Sequence, residues 1–206
     1  MAKVAVLISG AGRSMANLHQ YMVQGDLPAQ IVLVLSSREG VKGLDRAESA
    51  HLPSAVVERG AYGDDVAEYS KAVFDAVRDV GAEWVCLAGF LSLLDIPDDY
   101  AGRVLNIHPS LLPAFGGPGM YGMKVHEAVL AHGCKVSGCT VHLADATYDT
   151  GPILVQHACP VLDRDTPETL AKRVFGLECH AYPEALAACL DGRVQREGRK
   201  ATLTSL

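Results

Sequence analysis

Residues 4–14 read Val-Ala-Val-Leu-Ile-Ser-Gly-Ala-Gly-Arg-Ser. The apolar run has no in/out alternation, which predicts a strand buried on both faces, as strands of parallel sheets are. The glycines that follow predict a tight turn into a helix over Ser14–Gln24. The same strand-then-helix order recurs through the first half of the chain. It predicts an α/β fold with a doubly wound, mostly parallel sheet and ligands at the carboxyl ends of the strands.

The later units are short and rich in Val, Leu or Ile. Strands are predicted at Ile31–Leu35, Ser54–Val57, Trp84–Ala88 and Val104–Ile107, and helices at Gly43–Ala50 and Asp65–Val80. The second half has a predicted short helix at Lys124–Ala131, a late antiparallel hairpin of Ser137–Ala144 and Ile153–Val161, and a closing helix from Thr166 or Pro167 to Leu190. We find no linker or repeat, so we expect residues 1–206 to form a single domain.

The composition restricts the class of protein. The chain has 206 residues, 20% of them charged, and a formal net charge of −6, which does not suit a protein that binds nucleic acid or a membrane surface through clustered Lys and Arg. No apolar run approaches the roughly 20 residues of a membrane span. The six cysteines never have the C-x-x-C spacing of a zinc or redox site, so we expect no bound metal and a reducing, cytoplasmic location.

The first candidate site follows the first strand. Glycines in a strand-to-helix turn let backbone amides point at an anion, and the helix dipole adds to the attraction. The residues concerned are Gly10, Ala11, Gly12, Arg13 and Ser14. A dinucleotide fingerprint is weak because Met15 replaces its third glycine, and no Walker-type Gly-Lys-Ser/Thr follows. We therefore predict phosphate binding, with a plain tight turn as the alternative.

The second candidate site lies at the end of the fifth strand. Asn106 and His108 are two residues apart, so their side chains point to the same face. An amide beside an imidazole could bind a developing oxyanion and exchange a proton. Asp149, in the loop of the late hairpin, could approach His108 and raise its pKa, although an acid in such a turn is often only a turn former. His126 and His142 are candidates for supporting roles, with packing as the alternative.

The order of motifs resembles a known family. The motifs are Ser-Gly-x-Gly after the first strand, Leu-Ala-Gly-Phe at 87–90, Asn-Ile-His-Pro-Ser-Leu-Leu-Pro at 106–113, Gly-Cys-Thr-Val-His at 138–142 and Asp-x-Gly-Pro at 149–152. Over roughly residues 3 to 195 they resemble the folate-dependent formyltransferase superfamily and, within it, the phosphoribosylglycinamide formyltransferases. The resemblance implies a Rossmann-like formyltransferase fold, with a phosphate-binding half at about 1–105 and a catalytic and folate-binding half at about 106–206.

The resemblance also implies a reaction. Asn106, His108 and Asp149 match the family's catalytic trio, and no metal is needed. The amine of glycinamide ribonucleotide would attack the formyl carbon of 10-formyltetrahydrofolate, the co-substrate, in de novo purine biosynthesis. His108 and Asn106 would stabilise the oxyanion, and Asp149 would hold His108 protonated and help to relay a proton through water.

Binding residues can be assigned from the same resemblance. The glycine loop matches the family's phosphate loop, with its polar Asn displaced here to Asn17, and Glu178 matches a glutamate that contacts the ribose end of the substrate. The matches to the pterin pocket are Leu87, Phe90, Leu91, Leu93, Ala144 and Asp145. Apolar walls and backbone groups suit a flat heterocycle.

Three alternatives remain at this stage. A 10-formyltetrahydrofolate deformylase shares the trio but passes the formyl group to water, and Pro109 stands here where deformylases have a second His. A formyltransferase for another acceptor amine and a non-catalytic nucleotide- or folate-binding relative are the others. In each case we expect small-molecule ligands, neither nucleic acid nor membrane as a partner, and a monomer or homodimer.

Overall fold

The computed structural model describes residues 1–204, and the chain divides into two compact units, Met1–Leu105 and the residues from Asn106 onward. Ser205 and Leu206, the last residues of the expected single domain, lie outside the described part. The first unit contains β1 (Ala2–Ile8), α1 (Arg13–Gln24), β2 (Ala29–Ser36), α2 (Lys42–Ser49), β3 (Ser54–Val56), α3 (Val66–Asp79), β4 (Trp84–Leu87) and the start of β5 (Val104–His108). The second unit contains the end of β5, α4 (Met123–Ala131), β6 (Val136–Leu143), β7 (Ile153–Pro160), α5 (Pro167–Leu190), β8 (Val194–Glu197) and β9 (Lys200–Leu203).

Seven strands form one sheet in the order β3-β2-β1-β4-β5-β6-β7. The strand β1 pairs in parallel with β2 and with β4, and β2 pairs in parallel with β3, whereas β6 and β7 are antiparallel. A mostly parallel sheet with flanking helices and a late antiparallel hairpin confirms the predicted fold class. Every predicted element is present, with its ends within two residues of the prediction.

The core of the first unit explains why β1 has no polar alternation. Val4, Ala5, Val6, Leu7 and Ile8 are all completely buried. Burying one Val, Leu or Ile side chain contributes roughly 1.5–3 kcal/mol, so this strand alone contributes a large share of the folding free energy. The residues at its carboxyl end are thereby held on a rigid element.

The helices begin where their sequences contain capping residues. Asp65 accepts a hydrogen bond from the Glu68 amide at 2.9 Å and caps α3. Thr166 and Thr169 form a reciprocal capping box at the start of α5, with Pro167 in the first turn. None of the helices within residues 1–204 is long and apolar enough to cross a membrane. Each of the six cysteines, all in the described part of the chain, has a free thiol.

A second, two-stranded sheet was not predicted from the sequence. Strands β8 and β9 pair antiparallel, with Glu197 opposite Lys200 and a tight turn at Gly198-Arg199. Gly198 has a φ of 60°, which favours glycine. Each strand has four residues, most of them exposed, so the segment lacks the apolar run from which the other strands were recognised.

Candidate active site

The glycine loop of the first unit forms the amino-terminal end of α1. Gly12 is the N-cap residue, with a φ of 65° and no side chain to cap the first turn. Amides at the start of the helix and the positive end of the helix dipole are therefore directed at the loop. Arg13 is exposed on the first turn, and Asn17 lies one turn further along the same helix face. Ser14, which follows Arg13 in the sequence, is half-buried.

The helix α2 holds this loop in place, which sequence reasoning missed. The Gly43 amide donates to the Gly10 carbonyl at 3.0 Å, and the Arg46 guanidinium donates to the Ala11 carbonyl. A Cβ atom on Gly12 would lie 2.8 Å from Gly43 Cα, and one on Gly43 would lie 2.4 Å from Ile8 Cδ1. Glycine is needed at both positions because the two backbones pack without room for a side chain. The signal in the sequence was Gly43 itself, just inside a predicted helix, where glycine is unfavourable.

The segment after β4 contains the residues matched to the pterin pocket. Leu87 and Phe90 are buried, Leu93 is half-buried and Leu91 is 37% exposed. The Phe90 ring stacks on Tyr69 with centroids 6.4 Å apart. The Leu91 amide donates to Ser9 Oγ at 3.0 Å, so the backbone of this segment is tied to the end of β1.

The three residues of the predicted trio lie together in the second unit. Asn106 Nδ2 donates to Asp149 Oδ1 at 3.2 Å, and His108 Nδ1 lies 3.5 Å from Asp149 Oδ2. Asn106 and His108 come from the end of β5, and Asp149 comes from the loop between β6 and β7. An amide, an imidazole and a carboxylate thus converge although 43 residues separate the first from the last.

His142 completes this cluster from β6. Its Nδ1 lies 3.0 Å from the Leu143 carbonyl, and because a carbonyl only accepts, that nitrogen carries the proton. Its Nε2 is then an acceptor, and it takes a hydrogen bond from Asn106 Nδ2 at 3.0 Å. Both hydrogens of the Asn106 amide group are therefore engaged, one by His142 and one by Asp149. The expectation that Asn106 helps to stabilise an oxyanion stays a prediction, and an oxygen ligand would share the longer of these two bonds.

Burial and the neighbouring groups have opposite effects on the pKa of His108. Burial lowers the pKa of His108, and the Asp149 carboxylate and the Phe115 carbonyl restore only part of the loss, so the pKa lies below its ordinary value of 6.5. His108 Nε2 donates to the Phe115 carbonyl at 2.8 Å. Desolvation thus outweighs the carboxylate in the free protein, and the expectation that Asp149 holds His108 protonated during the reaction stays a prediction.

Asp149 is held in a conformation that is uncommon for a residue with a side chain. Its φ is 58°, in the left-handed region. Gly117 donates its amide to Asp149 Oδ2 at 2.9 Å, and a Cβ on Gly116 would lie 3.2 Å from Asp149 Cβ. Burial raises the pKa of Asp149, but the His142 and His108 rings and the Gly117 amide lower it by more, so the pKa lies below 3.8. The carboxylate is ionised at neutral pH.

The remaining candidates have different surroundings. His126 is buried on α4, and no partner for its Nδ1 occurs in the described part of the chain; burial, then the nearby His108, lowers its pKa. Glu178 is half-buried on α5. Burial of the Cys139 thiol raises its pKa to about 12, and the charge of the nearby Glu178 acts in the same direction. Ala144 is half-buried and Asp145 is exposed at the start of the Asp149 loop. Residues 1–204 contain no group of three or more His, Cys, Asp or Glu side chains that could hold a metal ion.

This site has the groups that acyl transfer to an amine requires. Comparison with known proteins also indicates an acyl-transferring enzyme. Residues 2–186 match the family described as Formyl transferase. The chain therefore belongs to the formyl transferase family, and it is an enzyme of the transferase class.

Its relatives narrow the branch of the family. The chloroplastic phosphoribosylglycinamide formyltransferase of Arabidopsis thaliana is 38% identical over 195 residues, which cover 94% of this chain and 67% of that protein. The trifunctional purine biosynthetic protein adenosine-3 of Gallus gallus is 42% identical over 195 residues, and this chain spans 19% of its length. The solved structure of glycinamide ribonucleotide transformylase 1 from Symbiobacterium toebii is 37% identical, with a TM-score of 0.92 over 100% of this chain and 95% of that chain. These relatives confirm the resemblance recognised in the motifs.

Proposed function

We propose that the chain transfers a formyl group from 10-formyltetrahydrofolate to the amine of glycinamide ribonucleotide, in de novo purine biosynthesis. The observation that carries the proposal is that Asn106 and His108 each lie within 3.5 Å of the Asp149 carboxylate in a chain of this family. The Arabidopsis and Symbiobacterium relatives have this activity in their names.

His108 acts on the proton of the attacking amine. Its Nε2 already donates to Phe115, so Nδ1 is the atom that can take up a proton. The charge that forms there is 3.5 Å from Asp149 Oδ2, and the carboxylate stabilises it. This distance is longer than a direct hydrogen bond, so Nδ1 can share the proton with substrate or with a bridging water. Asp149 thus acts as the counter-charge of an imidazolium formed during the reaction, and His108 returns this proton to the folate nitrogen as the bond between that nitrogen and the formyl carbon breaks.

Asn106 orients the reacting groups. One N–H is fixed by His142 at 3.0 Å, and the other, bound to Asp149 at 3.2 Å, is the one that a substrate oxygen can share. A positioned donor of this kind is worth about 10²–10³ in rate where negative charge develops. His142 supports the site by holding the Asn106 amide in one orientation.

The residues that bind the ribonucleotide are assigned within each unit separately. In the first unit, the amides of Gly10, Ala11 and Gly12, with Arg13, Ser14 and Asn17, bind the phosphate of the ribonucleotide. In the second unit, Glu178 accepts hydrogen bonds from ribose hydroxyls.

The residues present also fit a reduced folate. When bound, 10-formyltetrahydrofolate supplies the formyl group that is transferred. Leu87, Phe90, Leu91 and Leu93 provide an apolar segment in the first unit, and its backbone is fixed by Ser9. The backbone at Ala144 and Asp145 provides polar groups for a heterocycle in the second unit. No metal takes part in this scheme.

The deformylase alternative keeps the same trio and replaces the amine with water. Pro109 beside His108 disfavours it, because deformylases have a second histidine there. A different acceptor amine, and binding without turnover, are outcomes of the test. A cytoplasmic location, a single domain and a monomeric or dimeric state stay predictions.

The decisive experiment follows loss of 10-formyltetrahydrofolate absorbance with and without glycinamide ribonucleotide. We expect turnover that requires the ribonucleotide and is saturated by it. Turnover without the ribonucleotide would identify a deformylase. Cofactor binding without turnover, with intact folding, would contradict the proposal and point to another acceptor or to a binding role.

A further inference from the structure

The hairpin β8–β9 reaches the loop that contains Asp149. Arg199, at its turn, donates from Nη2 to the Thr150 carbonyl at 2.6 Å, and β9 lies beside β7, the strand that follows the loop. Thr150 is the residue directly after Asp149. The hairpin therefore holds the backbone of the catalytic loop through a charge-assisted hydrogen bond.

The loop itself is a closed unit. Asp145 Oδ1 accepts from the Thr147 amide at 3.1 Å and from Thr150 Oγ1 at 2.8 Å, so the two ends of the segment 145–150 are joined. A hydrogen bond to the Thr150 carbonyl thus holds the whole segment and not one residue alone.

The conformation of Asp149 needs such a restraint. A non-glycine residue with a φ of 58° is held against its own preference. On one side Gly117 fixes the carboxylate, and on the other Gly151 lies against the Leu143 carbonyl, where an added Cβ would be 1.8 Å away. Between these two fixed points, the Arg199 guanidinium binds the loop backbone at the Thr150 carbonyl.

We propose that Arg199 is a positioning residue for catalysis: through the Thr150 carbonyl it keeps Asp149 at its distance from His108. Arg199 is exposed and does not need to touch a substrate. This inference rests on the proposed function for its kinetic consequence, but the restraint on the loop can be measured without any substrate.

The test compares Arg199→Met with Arg199→Lys and with Arg196→Met. The first variant removes the donor, the second keeps a shorter cationic donor, and the third removes one exposed positive charge from β8 of the same hairpin. Because water weakens the contribution of an exposed charge, we expect the net effect of an ordinary intramolecular hydrogen bond, roughly two- to tenfold. We expect Arg199→Met to lower kcat by about that factor, with the KM for the ribonucleotide changed less than about twofold, and Arg199→Lys to restore part of the loss.

Two readouts need no turnover. Amide hydrogen exchange over residues 145–150 becomes faster in Arg199→Met and is unchanged in Arg196→Met. The NMR titration of His108 shifts to lower pH, because a displaced Asp149 raises the His108 pKa less; the other ionisable groups that face His108, His142 on β6 and His126 on α4, stay the same.

The proposal would be overturned if Arg199→Met had the same hydrogen exchange, His108 titration and kcat as the wild-type protein. It would also be overturned if Arg196→Met lost as much kcat as Arg199→Met. If the wild-type protein shows no transferase activity, the proposed function fails, while exchange and titration still decide whether Arg199 holds the loop.

Discussion

Asp149 Oδ2 lies 3.5 Å from His108 Nδ1, and both side chains are more than nine-tenths buried. Under the proposed function, this buried carboxylate and neutral imidazole take up a proton that is released during the reaction. The pKa of each group lies below its ordinary value, for Asp149 because its neighbours outweigh burial and for His108 because burial outweighs its neighbours. The free site therefore contains one negative charge and a neutral acceptor at neutral pH.

Asp149→Asn removes the charge and keeps the shape, because Asn also tolerates the left-handed backbone region. We expect turnover to fall by on the order of a hundredfold or more, and the His108 pKa to fall further once the carboxylate is gone. Steady-state rates and an NMR titration of His108 measure both effects. Asp163→Asn is the control, since the Asp163 side chain is 96% exposed. Wild-type turnover in Asp149→Asn would refute the assigned role.

His108→Gln removes the proton acceptor but keeps a donor for the Phe115 carbonyl. Turnover should drop by roughly 10²–10⁴-fold, the usual contribution of a general acid–base group, while circular dichroism shows a folded protein. His51→Asn serves as control, because His51 is exposed and has a φ of 55° that Asn adopts readily. If His108→Gln retains wild-type rates, His108 is not the base.

The free energy of unfolding should depend on pH through His108. The folded-state pKa lies below 6.5, so the unfolded chain binds more protons between that pKa and pH 6.5. Stability is therefore fully present above pH 6.5 and is lost as the pH falls through this window. Urea unfolding at pH 5, 6 and 7 should show a smaller loss in His108→Gln than in the wild-type protein. Equal pH slopes in both would contradict the lowered pKa.

His142→Phe should leave the Asn106 amide without the closer of its two acceptors. We expect about a tenfold or greater loss of turnover, because a misoriented amide no longer binds Asp149 or substrate. His142→Gln, whose side-chain oxygen can accept the same hydrogen bond, should lose less. Rates and thermal melting of both variants test this, and equal losses in the two would mean that His142 contributes through packing.

Gly43→Ala should disturb the glycine loop that follows β1. The new Cβ would lie 2.8 Å from the Gly10 carbonyl, so the loop or α2 must move. Such overpacking typically destabilises by about 1–3 kcal/mol, and the KM for the ribonucleotide should rise more than kcat falls. Gly60→Ala is the matched control because a Cβ there meets nothing within 4 Å. An unchanged KM would mean that the packing of Gly43 against Gly10 does not affect substrate binding.

Sequence patterns predicted most of the fold because strong local signals agree with it. Buried runs such as Val4–Ile8 and the helical stripe that includes Tyr69 and Val77 are unambiguous. The β8–β9 hairpin was missed because its strands are short and largely exposed, so neither apolar periodicity nor burial marks them.

The trio could be predicted from position and resemblance, but its chemistry could not. The lowered pKa of His108 depends on burial and on the distance to Asp149, which no spacing in the sequence specifies. The saturation of the Asn106 amide depends on His142, 36 residues away. The packing of Gly12 against Gly43 is likewise a contact between distant segments, visible only in three dimensions.

The Arg199–Thr150 hydrogen bond has a practical consequence for anyone who produces the protein. A fluorescent or spin label attached within β8 or β9 can displace the hairpin that binds the loop containing Asp149. We expect the position of the label then to become a kinetic variable, so that rates from differently labelled preparations are not interchangeable. A label at Val23, which is 72% exposed on α1 of the other unit, avoids the hairpin.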